Sequence, residues 1–424
     1  MIIQKTGSFC FECNKIHPAE IEIRGNEVYF RVYCPRGRKE TRISDDAEIF
    51  MHFRSLAPAF HRKGHGYRGA YLFRYVEITD ACNFSCPICY ANSGGKRKKF
   101  VSLEYVEKVA EKAKREGAVA LCITGGEPTL HPELPRMVEL LKTKGLRPVV
   151  LTNGFLFYKK PEMMDLLKEK GLWGVTVQFD TFNPQIHRMM RGNEYIEEKI
   201  RVMEMAVKKG LRLSVTMTVI RENLREIKDI ILHALSFSPG LYLININIAN
   251  PAGRFMARKS QLINRETVIK ELISDMGLNV EDFLPLPSVA PLQLSLHPDC
   301  GAFLFLLKDD KKVMPVTRLV NVKNLYLRLS SLPESTHPVY SVLFPLLSLF
   351  KYTDPGKRSL LLSALAGTLK GRGKRNIVTV AIGDFLTRDY MDVERLRVCG
   401  GIFLTPRGAY PGCYYVYKKY GGAW

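Results

Sequence analysis

Between residues 71 and 255 six short strand-like runs alternate with five amphipathic helical ones, and nothing else in the sequence restricts the fold as sharply. The strand-like runs are 71–79, 119–124, 147–152, 174–179, 211–218 and 241–248. Helical patterns lie between them, at 103–115, 134–142, 162–170, 195–209 and 222–235. In the first helix Leu103, Val106, Val109, Ala110 and Ala113 form one apolar stripe, the mark of a helix with one buried face. Pro161 sits where a first helical turn tolerates proline. Repeated βα units give a parallel sheet with right-handed crossovers. The expected class is α/β, as a partial (β/α)6 barrel. In such a fold functional residues gather at the C-terminal ends of the strands.

The cysteines divide the rest of the chain. There are 10 in 424 residues, too sparse for a disulfide scaffold of the secreted kind. The first residues carry no long apolar run with a cleavage pattern. The uncharged stretch 335–350 contains His337, Pro338 and Pro345 and falls short of the ~20 apolar residues of a spanning helix. The expectation is a cytoplasmic, reducing setting, where clustered cysteines act as metal ligands or catalytic thiols. Residues 1–70 read as a small metal knuckle, with Cys10 and Cys13 on one turn and Cys34 on a second, between short alternating strands. Three thiolates on two hairpin tips suit a mononuclear Zn or Fe; His17, His61 and His65 are candidates for a fourth ligand. Residues 256–424 lose the alternation. They are expected to form a C-terminal α-rich domain, with one more helix at 264–276, apolar runs at 341–350 and 360–369, and a cysteine-bearing tail.

The central motif is Cys82-x3-Cys86-x2-Cys89-Tyr90, directly after the first strand of the repeat. Three thiolates this close can hold three irons of a cubane [4Fe-4S] cluster and leave the fourth open. At the end of the second strand, Gly125 and Gly126 allow a close backbone approach, and Glu127 can pair with an ammonium group. Asn153, Asp180 and residues 247–250 end later strands. Polar residues recurring at one sheet edge argue for a pocket there. Cys122 is expected to pack as a small apolar residue.

The cysteine motif after strand one, together with Gly125-Gly-Glu-Pro after strand two, resembles the radical SAM superfamily over roughly residues 71–255. That resemblance implies a [4Fe-4S] cluster on Cys82, Cys86 and Cys89 whose open iron chelates S-adenosyl-L-methionine, and one-electron cleavage to a 5′-deoxyadenosyl radical that abstracts hydrogen from an unactivated carbon. It places Tyr90 beside the adenine, Gly125, Gly126 and Glu127 at the methionyl amine, and Asn153 and Asp180 at the ribose or carboxylate. The flanking cysteines, including Cys300, Cys399 and Cys413, resemble one group in particular, the archaeal tetraether lipid synthases and their relatives, some described as pterin methylases. This implies a mononuclear iron or zinc on Cys10, Cys13 and Cys34, and an auxiliary [4Fe-4S] cluster on Cys300, Cys399 and Cys413. The chain departs from that group at 60–69, which has no cysteine.

Lys+Arg number 63 against 42 Asp+Glu, a formal net charge of +21, which calls for an anionic partner. The apolar runs within 335–375, flanked by Lys and Arg, suit an interface or acyl groove with anionic headgroups. Nucleic acid is disfavoured: the one tight basic run is 96–99, and no RNA-binding module is recognisable. The expected function is C–C bond formation on an isoprenoid ether lipid, at the inner membrane face, with a low-potential ferredoxin- or flavodoxin-like electron donor. The alternatives are methylation of a pterin-like heterocycle and RNA modification.

Overall fold

The computed structural model describes residues 1–56, 73–94, 98–256, 262–285, 297–310, 312–330 and 344–421. Its strands form two sheets. The smaller is an antiparallel run of β1 (Ile2–Cys10), β2 (Lys15–Arg24), β3 (Glu27–Cys34) and β4 (Gly37–Ser44). Ile21, Val28, Phe30 and Val32 alternate onto its buried face. They pack there with Leu386, Tyr390, Met391 and Tyr417. The knuckle therefore shares its core with residues from the far end of the chain.

The larger sheet has 12 strands. The repeat region supplies β5 (Phe73–Thr79), β6 (Ala120–Gly125), β7 (Arg147–Thr152), β8 (Gly174–Gln178), β9 (Arg212–Val219) and β10 (Leu241–Ile248). These six lie side by side in chain order and all parallel. The helices fall where the pattern put them: Leu103–Arg115, capped by the Ser102 side chain, Leu134–Thr143, Pro161–Glu169 and Glu197–Lys208. The 222–235 pattern splits into a 3-10 turn, Arg221–Glu226, and the helix Ile227–Ser236.

Residues beyond 256 differ from the expectation of a separate α-rich domain. They contribute β11 (Phe283–Leu284), β12 (Gly301–Asp309), β13 (Lys312–Pro315), β14 (Arg375–Gly383), β15 (Ile402–Thr405) and β16 (Gly408–Pro411). β14 adds to β10 and β15 adds to β5, both in parallel, so eight contiguous strands run one way. β12 adds antiparallel to β14 with β11 and β13 beyond it, and β16 closes the other edge antiparallel to β15. Val378, Val380, Ile382, Ile402 and Leu404 enter the same apolar core as Val76, Leu121 and Val215. The local signal was weak for a physical reason. β12 is a continuous apolar run, which has no period, and β15 is four residues long.

One face of this sheet is thus apolar and covered by helices. Each Val, Leu or Ile buried there contributes ~1.5–3 kcal/mol, and a register slip of one residue would expose the whole set. The opposite face carries the alternate residues. Near the N-terminal ends these are apolar, with Cys122 packed among Ala120, Val149, Tyr75 and Trp173 as expected. Towards the C-terminal ends they are polar, and Asn245 and Asn247 donate to Ser214 and Thr216 across the β10–β9 pair. Among the described residues, no helix is long and apolar enough to cross a membrane.

Candidate active site

Cys82, Cys86 and Cys89 follow β5 at the C-terminal edge of the parallel strands, and all three thiols are partly exposed. Arg254, just after β10, holds their loop. Its Nε donates to the Cys86 carbonyl at 3.0 Å, its Nη1 to the Ser93 carbonyl at 2.6 Å, and its amide to the Cys89 carbonyl at 2.9 Å. Burial pushes the Cys82 thiol up to about 12. Among the described residues, only Cys10, Cys13 and Cys34 bring three ligand atoms within 4.8 Å of one another. The central cysteines are spread more widely on one loop, a donor set that fits a multi-iron cluster and not a single ion.

Gly125 and Gly126 have a packing reason of their own. Their turn lies against the start of the cysteine loop, with Gly126 N donating to Thr79 O at 2.8 Å and Glu127 N to Ala81 O at 2.7 Å. Gly125 has φ +134°, and a Cβ on either glycine would strike the Thr79 or Ala81 carbonyl. The Glu127 carboxylate is 1% exposed. It accepts from Thr129 N, Thr129 Oγ1, Thr152 Oγ1 and Asn153 N at 2.6–3.1 Å, which fills its ~four lone-pair sites. Pairing with an ammonium would have to displace one of these donors. Asn153 Nδ2 donates to Asn83 Oδ1 within the cysteine loop at 2.8 Å, and its Oδ1 accepts from Phe155 N.

Asp180 departs from its expected place at a ligand. It is fully buried and bound to Arg191 Nε and Nη2 at 2.7 and 3.0 Å and to Thr218 N at 2.8 Å. Burial raises its carboxyl, and the Arg191 guanidinium more than reverses this, leaving it below the usual range. Its carboxylate orients Arg191. Lys199 was not anticipated. It is 1% exposed, with its Nζ bonded to Gln178 Oε1, and burial pulls it down to about 8. Cys86 and Glu127 both act on its charge. A lysine in the first turn of the helix Glu197–Lys208 gives little signal, because lysines on helices are ordinarily solvated.

Tyr90 is 39% exposed, its ring 6.2 Å from that of Tyr420. Glu77, buried on β5, accepts from Tyr415, Tyr420 and Lys419 of the last described helix, Gly412–Tyr420. This last described helix is thereby fastened beside the cysteine loop.

The other predicted ligands fall into two groups. The Cys10, Cys13 and Cys34 thiols meet at the tips of two hairpins, and His17 Nε2 lies 2.8 Å from Cys13 Sγ. Of the candidate histidines, His61 and His65 lie outside the described residues. Cys300, Cys399 and Cys413 are more dispersed. Burial raises all three thiols, and the charge of Cys399 acts on both of the others.

A cavity of about 1050 Å³ opens at the opposite, N-terminal edge of the strands. Trp173 and Tyr242 line it from the sheet, and Leu349, Leu361 and Leu365 from the helices Phe344–Lys351 and Arg358–Lys370. Arg147, Arg212, Lys142 and Lys370 also line it. Arg147 lies over the Trp173 ring at 5.3 Å and Arg212 over Tyr242 at 5.6 Å.

Residues 76–234 match the family model of the Radical SAM superfamily. The chain is 27% identical over 361 residues to a 7,8-dihydro-6-hydroxymethylpterin dimethyltransferase of Methanocaldococcus jannaschii, covering 76% of this chain and 71% of that protein. It is 27% identical over 213 residues to a probable GTP 3′,8-cyclase of Sulfurisphaera tokodaii, covering 50% of this chain and 67% of that one. Among solved structures, Streptococcus suis SuiB bound to precursor peptide SuiA aligns over 65% of this chain and 71% of its own, at 11% identity and a TM-score of 0.43. The family match supports a radical SAM enzyme, and that family implies a [4Fe-4S] cluster and S-adenosyl-L-methionine as cofactors.

Proposed function

We propose that this radical SAM enzyme activates a C–H bond on a long apolar substrate with an anionic head, an isoprenoid ether lipid, leading to C–C bond formation. The observation that carries the proposal is the apolar cavity of about 1050 Å³ with four basic residues in its lining. It is larger than a small heterocycle needs, and it sits where the C-terminal helices meet the sheet. The parallel strands would curl into a partial barrel, with the cavity at one edge and the cysteine loop at the other. When bound, the cluster and S-adenosyl-L-methionine supply one-electron hydrogen abstraction.

The chain's own residues then have distinct tasks. Cys82, Cys86 and Cys89 hold the cluster, and Arg254 fixes their loop. The turn at Gly125 and Gly126 offers backbone to the methionyl amine, with Glu127 stitching β6 to β7. Lys199 and Arg191 supply positive charge for the methionyl carboxylate, Tyr90 an aromatic face for the adenine, and Asn153 an amide for the ribose. Cys10, Cys13 and Cys34 hold a mononuclear Fe or Zn, with His17 as the near fourth donor. Cys300, Cys399 and Cys413 hold an auxiliary [4Fe-4S] cluster. Arg and Lys around the cavity would meet an anionic headgroup at the inner membrane face, and a low-potential ferredoxin- or flavodoxin-like protein would supply electrons.

Lipid mass spectrometry of an archaeal host lacking this chain tests the substrate: ether lipids that lack the new carbon–carbon link are expected, and an unchanged lipid profile overturns the lipid reading. A second reading, methylation of a pterin-like heterocycle, is favoured by the name of the Methanocaldococcus relative. It requires S-adenosylhomocysteine beside 5′-deoxyadenosine among the products, where the coupling reading requires 5′-deoxyadenosine alone.

A further inference from the structure

Arg395, with Arg265, is the largest side chain sealed inside the described residues, at 1% exposed. It lies in a short helix, Val393–Arg397, opened by the cap Asp392. Its Nε donates to Cys300 Sγ at 3.3 Å, its Nη1 to Tyr390 Oη at 2.9 Å, and its Nη2 to the Asp384 carbonyl. The guanidinium also lies 5.1 Å from the centre of the Tyr390 ring. Among the described residues no aspartate or glutamate forms an ion pair with it. The nearby Asp299 is instead engaged by Arg54 Nε, at 2.9 Å.

The buried carboxylates Asp384 and Asp299 act on its charge from beyond ion-pair distance, and a buried guanidinium without a directly paired anion costs several kcal/mol. Its donors reach a sulfur, a phenol and a carbonyl, all neutral while the thiol keeps its proton. Cysteine becomes a thiolate outright when it binds a metal. A metal-loaded cysteine site would place a paired negative charge directly on the sulfur that Nε reaches. Hydrogen bonds to cluster sulfurs and the net charge around them are among the terms that set the potential of an iron–sulfur centre.

We infer that Arg395 is the fixed counter-charge and sulfur hydrogen-bond donor of the Cys300, Cys399 and Cys413 site, and that it raises the reduction potential of the cluster held there. The inference rests on the proposal that these three cysteines hold a cluster. On reduction, one electron passes from a low-potential one-electron donor into the cluster. No bond is made or broken, and the guanidinium keeps all its protons. Its N–H···S contact strengthens as negative charge builds on the sulfur, which favours the reduced state.

The experiment uses the anaerobically reconstituted full chain. Iron and sulfide are first compared between the wild type and a Cys300→Ala, Cys399→Ala, Cys413→Ala variant. Loss of one cubane's content upholds the cluster proposal; equal contents remove that proposal and the inference with it. The auxiliary signal is then isolated in a chain carrying Cys82→Ala, Cys86→Ala and Cys89→Ala, and titrated with dithionite under EPR. In that background Arg395→Gln is expected to lower the reduced-to-oxidised ratio at fixed potential at least tenfold, about 59 mV for one electron. Arg395→Lys should shift it less. An unchanged potential at full iron content overturns the role of Arg395 while leaving the cluster in place. Should the Arg395 variants not fold, the same question is put to the arginine protein with ¹⁵N-arginine. Pulsed EPR of the reduced auxiliary cluster should then show a ¹⁵N coupling, and its absence overturns the inference.

Discussion

The two ends of the parallel strands are built from different chemistry. The C-terminal ends carry three partly exposed cysteines, a glycine turn, a sealed Asp180–Arg191 pair and a buried Lys199. The N-terminal ends carry an apolar cavity with Arg147, Arg212, Lys142 and Lys370 in its wall. One sheet face joins them, passing from the apolar set around Cys122 to the Asn245 and Asn247 rows. Charged and polar groups gather at one end and apolar side chains at the other, and under the proposed function these would hold the cofactor and the hydrocarbon. A substrate would have to be long to serve both.

That division can be broken from either end. The largest effect is expected from Lys199→Met, which removes a buried cation beside the cysteine loop. Binding of S-adenosyl-L-methionine, followed by calorimetry on the cluster-loaded protein, should weaken ~100-fold, of the order seen when one partner of a buried charge contact is lost (2–5 kcal/mol). Binding of an isoprenoid ether phospholipid should not change. Equal loss at both ends would mean that the cavity and the cysteine edge form one site.

Leu365→Trp fills the cavity from its helical wall. Overfilling a packed apolar site costs ~1–3 kcal/mol, so lipid-dependent product should fall about tenfold or more. 5′-Deoxyadenosine made without substrate should be unaffected. If the lipid product is undiminished, the cavity is not the substrate's entrance.

Arg147→Ala tests the basic part of the lining and should weaken binding of anionic vesicles by about 1 kcal/mol, the scale of one basic residue at such a surface. The loss should shrink as salt is raised. Vesicles without anionic lipid should bind both proteins alike.

The smallest effect at either end is expected from Asp392→Asn, which separates fold from site. Asp392 is fully buried where the small sheet meets the C-terminal region. Its Oδ1 accepts from Thr6 Oγ1 at 2.8 Å and from Glu394 N, and its Oδ2 has no partner. Burial pushes its carboxyl up to about 6. A carboxyl raised on folding contributes stability below the unfolded value near 4, and that contribution is lost as pH rises through about 6. The wild type should therefore lose ~2 kcal/mol between those values from this group, and the asparagine variant should not. Melting curves across pH 4–7 check this; parallel curves for the two proteins would rule it out.

What the sequence displayed was whatever is local. The Cys82, Cys86 and Cys89 spacing spans eight residues, and the helix at Leu103–Arg115 was legible from its stripe. Asp180 was assigned to a ligand because its partner Arg191 lies a full helix later, and a lone aspartate at a strand end does not announce a salt bridge. The eight-strand parallel run was hidden because β14 and β15 pair with strands far away in the chain. Arg395 reaches Cys300 across 95 residues of sequence, so only the folded chain discloses that contact.

Under the proposed function Cys82, Cys86 and Cys89 hold the cluster that cleaves S-adenosyl-L-methionine. The most direct measurement is 5′-deoxyadenosine released by the anaerobically reconstituted, dithionite-reduced protein beside its Cys86→Ala variant. The wild type should release it and the variant should release none. Release by Cys86→Ala, or a wild type that takes up no cubane cluster, would overturn that role for the three cysteines.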